Sequence, residues 1–392
     1  MFSDRTSWNR LPNHLSQALE RRRQSGSPVV DLTVSNPTSC GFSYPEQALL
    51  SAFTNPSWLR YQPDARGLLS ARTSIAQLYA QRSVVVDPGN IFLTASTSEA
   101  YALLFNLLCN SGERVLLPRP SYPLFDFLSQ LNDVNTDTYR LFYDHGWHVD
   151  FDSIRQDITP STRAIVLIHP HNPTGMVLRR TEFDQIVLLA REHNLALIVD
   201  EVFSEYRFEM SNSHQPSAAG EHRVLTFTLN GISKLAALPQ LKLGWIVVSG
   251  TEALVAEASA RLEIMCDTFL SVNTPVQIAF EDIMQTSIPL RETILNRVRT
   301  NYTMLTAAVA GTSCSVLKSD GGWCGIIRVP TTMTDEAWAL ALLENEGIHL
   351  FPGYFFDLEE EGHLVVSLLP ETGLFRSAVT TIVSFIESNT AR

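Results

Sequence analysis

The sequence predicts an α/β fold: a three-layer large domain on a mainly parallel sheet, with a smaller α/β domain drawn from both chain ends. Three observations point there. Short apolar runs rich in β-branched residues stand at 164–168, 195–199, 224–229 and 245–248, the composition of buried strands. A helical spacing at 181–193 separates two of them, and strand–helix alternation implies a parallel sheet with helices on both faces. Polar residues follow the runs at matching places: Asn172 in HPHNPTG, Asp200 in LALIVDE and Lys234 in LNGISKL.

Lys234 is the residue around which the rest is organised. A single lysine is ordinarily a surface residue. Here an amide, a carboxylate and an amine each lie just past a predicted strand. Ligands of open α/β sheets collect at the carboxyl ends of the strands. The trio suits a pyridine cofactor held by a lysine imine.

Asn172-Pro173-Thr174-Gly175, Asp200-Glu201-Val202 and Ser233-Lys234, followed by Leu241-Lys242-Leu243-Gly244, resemble the class I/II aminotransferases, pyridoxal-phosphate enzymes of fold type I. The resemblance runs over residues 34–369 in the family's order and spacing. It implies an arm and part of the small domain at 1–50, a large cofactor-binding domain at 51–281, and a small domain at 282–392. It also implies pyridoxal 5'-phosphate as cofactor, an amino donor and a keto acid acceptor as substrates, and a homodimer.

Composition bounds the alternatives. Charged residues are 18% and apolar ones 45% of 392 residues, ordinary for a globular enzyme of two domains. The net charge of −12 argues against general nucleic-acid binding, and Arg21-Arg22-Arg23 reads as a solvated helix face. No run approaches a membrane span, and the N-terminus lacks a signal peptide's apolar centre. The five scattered cysteines predict neither disulfides nor zinc, and a cytoplasmic setting.

Taken in order, a helix is read at 15–23 and a strand at 29–34. Ser35-Asn36-Pro37-Thr38 follows. It is a turn by its own residues, and by the resemblance a loop over the substrate side. Tyr61 opens a segment before the helix at 68–79. By the resemblance it crosses to a partner subunit's cofactor phosphate; on its own it reads as an interface tyrosine. After the strand at 91–93, Thr97 and Ser98 start a helix that runs to about 108. They cap it, or they cradle a phosphate with the helix N-terminus, as the resemblance implies.

Tyr122, after the strand at 115–117, either packs as a turn tyrosine or stacks on the pyridine as in the family. No chemistry is read at 133–158. His169 and His171 flank Pro170 with no third metal ligand in view and are read as loop residues. Helices follow at 181–193, with a capping-box-like start at Thr181, and at 252–265, 289–310 and 375–387. The last strand lies at 361–367.

By the resemblance, Lys234 bonds the cofactor and moves the substrate proton. Asp200 holds the pyridine nitrogen protonated, and Asn172 donates to the ring oxygen. Thr97, Ser98, Lys242 and Tyr61 hold the phosphate. Four positions depart from the family. Lys242 replaces an arginine, which loses the bidentate fork. Gly231 replaces a phosphate-binding serine, and Phe203 a tyrosine that donates to the ring oxygen. Val365 stands where an arginine grips the substrate carboxylate. A relocated arginine, Arg66, Arg119 or Arg328, is expected to take over, or else the substrate lacks that carboxylate. An aminotransferase is the expected function. A lyase of the same fold and a cofactor-holding regulatory protein are the alternatives.

Overall fold

A computed structural model describes residues 1–390. Its large sheet has eight strands. In spatial order they are Ile91–Thr94, Gly244–Ser249, Thr226–Gly231, Ala196–Asp200, Thr162–Ile168, Arg114–Arg119, Asn135–Tyr143 and Trp147–Val149. Only Gly244–Ser249 and Trp147–Val149 run against the rest. Thr94, Arg119, Ile168, Asp200 and Gly231 therefore end on one edge of the sheet.

Both faces of the sheet are covered, for a reason visible along one strand. Successive side chains of a strand point to opposite faces. Ala164, Val166 and Ile168 pack with Leu104 and Phe105 of the helix Thr97–Leu108. Ile165 and Leu167 pack on the other side with Phe183 and Ile186 of the helix Arg180–Glu192. A continuous apolar run is what a strand buried on both faces requires. Each fully buried Ile or Leu contributes about 1.5–3 kcal/mol.

A second sheet of four strands orders Ser315–Val316, Cys324–Arg328, His363–Ser367 and Phe351–Pro352, all antiparallel. It packs in one cluster with the helices Ile288–Ala308 and Thr372–Thr390. The N-terminal segment joins here: Val30–Asp31 pairs with Ile348–His349. Ser367 donates from its backbone N–H to Leu32 O and from Oγ to Val34 O, both at 2.6 Å.

Several elements differ from the sequence reading. The strand read at 29–34 is only Val30–Asp31; beyond it Leu32 is buried in the small-domain core and Thr33, Val34 and Ser35 line the cleft. The segment 133–158 holds two strands and the helix Phe151–Asp157, at the sheet's far edge. The capping box at Thr181 sits earlier: Glu182 Oε2 accepts from the Arg179 N–H at 2.9 Å, because the helix begins at Arg180. The two histidines do lie in a loop, as read, and are also buried. His171 Nδ1 lies 3.0 Å from Thr174 Oγ1 and His169 Nε2 2.8 Å from Gln215 O. Burial pushes both rings down to about 3, so they are neutral pegs of the backbone. Among the described residues no helix is long and apolar enough to cross a membrane.

Candidate active site

A cavity of about 350 Å³ opens at the carboxyl edge of the large sheet, between it and the small one. Thr97, Ser98, Tyr122, Asn172, Asp200 and Lys234 all line it. They come from five separate stretches of chain and meet because the parallel strands end together. Tyr61 and Lys242 are not among the lining residues. Tyr61 is 79% exposed and borders a different cleft with Asp64 and Gln277. Lys242 is exposed, in a left-handed backbone conformation, just before Gly244.

Lys234 lies on a one-turn helix, Ile232–Leu235. Its Nζ donates to Ser35 O at 3.3 Å and stands 4.5 Å over the Trp323 ring and 5.6 Å over Phe203. The aromatic faces attract a cation. Desolvation acts more strongly and pushes the amine down to about 8, with Cys324 and Asp200 opposing. A larger fraction of Lys234 is thus neutral near pH 7 than of an ordinary lysine.

Asp200 is 8% exposed, and burial pushes its carboxyl up to about 6. Two donors partly offset this. The Val202 N–H reaches Oδ1 at 3.0 Å, and the Tyr101 hydroxyl reaches Oδ2 at 3.2 Å. Tyr101 was missed in the sequence. Its signal was the spacing: it is four residues from Thr97, on the same helix face. Asn172 is positioned beside Cys324, whose thiol donates to Oδ1 at 3.6 Å.

The start of the helix Thr97–Leu108 is capped by Ser96 and not by Thr97 or Ser98. Ser96 Oγ accepts from the Glu99 N–H at 3.1 Å, and Glu99 Oε2 accepts from the Ala95 N–H at 2.5 Å. With Ser96 as the cap, the Thr97 and Ser98 hydroxyls are left to face the cavity. The glycines of the adjacent strands bring this turn close. A Cβ on Gly244 would lie 3.1 Å from the Ser96 carbonyl carbon, and one on Gly231 3.1 Å from Leu243 O. A serine at Gly231 would press on backbone, which gives a steric reason for the glycine.

Tyr206 does not replace the tyrosine that the resemblance puts at Phe203. It is fully buried, and its hydroxyl donates to Lys234 O at 2.7 Å. The relocated arginine is also absent, for no arginine among the described residues lines the cavity. Arg66 is paired with Glu263 at 2.7 Å. Arg119 and Arg328 border a second cleft, where Arg119 meets Glu359 at 3.3 Å. Val365 is fully buried and lines the first cavity.

Comparison with known proteins places this architecture. Glutamate-pyruvate aminotransferase of Escherichia coli K12 is 28% identical over 379 residues, covering 94% of this chain and 92% of its own. The counterpart in Haemophilus influenzae is 26% identical over 377 residues, covering 93% and 92%. A crystal structure of an aminotransferase from E. coli superposes with a TM-score of 0.86 at 26% identity, over 98% of each chain. Alanine aminotransferase from Pyrococcus furiosus shares the fold, with a TM-score of 0.89 at 23% identity over 99% of this chain and 100% of its own. The family described as Aminotransferase class I and II matches residues 27–376. With that span, and with the fold type I architecture shared almost end to end, the chain belongs to the class I and II aminotransferases and is a transaminase.

Proposed function

We propose that the cavity binds pyridoxal 5'-phosphate on Lys234 and moves an amino group between an amino acid or amine and a keto acid. The convergence of Lys234, Asp200 and Asn172 on one cavity carries this reading. The residues fit the cofactor. A half-buried amine with a lowered pKa is a nucleophile toward an aldehyde. A buried carboxylate that burial penalises is suited to a cationic ring nitrogen, since each charge favours the other. When bound, the cofactor supplies an electron sink for the carbanion formed at the substrate carbon.

The chain's own residues do the rest. Asp200, held by Tyr101 and Val202, keeps a proton on the ring nitrogen. Asn172 donates to the ring oxygen. Thr97, Ser98 and the helix N-terminus hold the phosphate, and Lys242, exposed on the neighbouring loop, is the residue that the resemblance adds to them. Lys234 Nζ carries the proton at the substrate carbon, while Tyr206 and Ser35 O hold its backbone and its amine in place. Tyr122 covers the ring face. The assembly is a homodimer in which Tyr61 reaches the partner's phosphate. The division at 1–50, 51–281 and 282–392 separates arm, cofactor domain and small domain. Five unpaired cysteines fit a reducing, cytoplasmic compartment.

The test is a spectrum. Purified protein loaded with the cofactor is exposed to a panel of amino acids and amines. Conversion of the cofactor to its amine form, reversed by a keto acid, is the expected result. Release of ammonia would mark a lyase, and no change with any amine would mark a binding role. Borohydride reduction should fix the cofactor to Lys234. Lys242 and Lys318 are the only other lysines in the sequence, so peptide mapping is unambiguous. Fixation to either would overturn the assignment.

A further inference from the structure

The cavity has one cation and an apolar far wall. Lys234 is the only lysine or arginine among the described residues that line it. Opposite, Val365 pairs in register with Phe351. Phe351 stacks on Phe355 at 4.7 Å and meets Phe356 edge-on at 5.5 Å. Phe356 in turn lies 6.4 Å from Tyr122. The cluster is tied down, since Phe356 O accepts from the Ser121 N–H at 2.8 Å.

Arg328, Arg119 and Arg297 are each held away from the cavity. Cys324, Ile326 and Arg328 share one face of their strand, and Cys324 lines the cavity. Arg328 is four residues farther on, about 13 Å along the strand, with Ile326 buried between. Arg119 donates to Asp357 O as well as meeting Glu359. Arg297 donates to Cys40 O at 2.7 Å with Phe42 against its face.

From this wall we infer that the preferred donor is a primary amine with an apolar, aromatic-sized body and no carboxylate on the amine-bearing carbon. The inference rests on the transaminase reading above and narrows its substrate. A carboxylate in that place would be desolvated without a paired cation, whereas an aryl or alkyl group is matched by the rings. The reaction balances as an ordinary transamination. The donor's C–H proton passes to Lys234 Nζ and its C–N bond is replaced by C=O from water. The nitrogen and the electron pair pass by way of the cofactor to the acceptor carbonyl, whose oxygen leaves as water. The same wall raises the KM of a keto acid acceptor above that of the matched aldehyde.

The test uses the cofactor-loaded protein and matched pairs. 2-Phenylethylamine and L-phenylalanine differ only in the carboxylate. The kcat/KM of their half-reactions should favour the amine by about tenfold or more. Binding is read separately, by calorimetry with two compounds that cannot react. 3-Phenylpropanol should bind about tenfold or more tightly than 3-phenylpropanoate. If L-phenylalanine outperforms the amine, or the propanoate binds better, the inference fails while the transaminase reading stands. That is also the outcome if a partner subunit supplies an arginine. If no amine or amino acid changes the cofactor spectrum, the transaminase reading and the inference fall together.

Discussion

Tyr101 donates its hydroxyl hydrogen to Asp200 Oδ2 at 3.2 Å, across a cavity wall where both side chains are buried. The bond favours the charged carboxylate, which burial otherwise disfavours. Phenylalanine keeps the ring's packing against Phe105 and Phe125 and removes only the donor. Tyr101→Phe should therefore fold normally and lower kcat/KM by about tenfold to a hundredfold, as loss of a bond to a charged group does. The acid limb of its pH profile should move to higher pH. An unchanged profile would mean that Tyr101 has no part in setting Asp200.

Asp200 makes a stability prediction for the cofactor-free protein. Its folded pKa, about 6, stands above the ordinary carboxylate value of 3.8. Between those values the unfolded chain holds fewer protons than the folded one, so stability falls as pH rises through that window. The loss is up to about 3 kcal/mol. It should be absent in Asp200→Asn, which should also lose most activity because a neutral amide cannot hold the ring nitrogen's proton. Urea midpoints of both cofactor-free proteins at pH 4, 5, 6 and 7 decide it; parallel curves would contradict the prediction.

Phe203 lies 7% exposed on the cavity wall, and Tyr206 is committed to Lys234 O. On the proposed reading Asn172 is the donor to the ring oxygen. Phe203→Tyr should add a donor and stabilise the deprotonated chromophore, moving the spectral titration of the loaded protein to lower pH. Tyr206→Phe should leave that titration in place. A shift in the second variant, or none in the first, would show the donor set to be different.

Tyr61 is exposed and away from its own chain's cavity. If it serves a partner's site, Tyr61→Ala and Lys234→Ala subunits should complement. A mixed dimer has one site with both residues intact, so re-equilibrated mixtures of the inactive variants should recover about a quarter of full activity. No recovery, or a fully active monomer by sedimentation, would remove the shared site.

Much of this molecule was open to reading from residue order alone. The apolar runs ending in Asn172 and Asp200 are continuous because both sheet faces are buried, and that composition is local information. Lys234 was legible by its place after a third such run. What the linear chain could not disclose are contacts between distant segments. Tyr101 reaches Asp200 across 99 residues. Ser96 rather than Thr97 caps its helix because the cap depends on where the turn from Thr94 closes. The fate of the arginines was least legible. The sequence offered Arg66, Arg119 and Arg328 near suitable motifs. Strand register and ion pairing decided that each points elsewhere, because a side chain's direction follows from the pleat and its neighbours. The sequence by itself determined the parallel sheet and the polar residues at its edge. Tertiary packing alone decided that the cavity they share has an aromatic wall and a single cation.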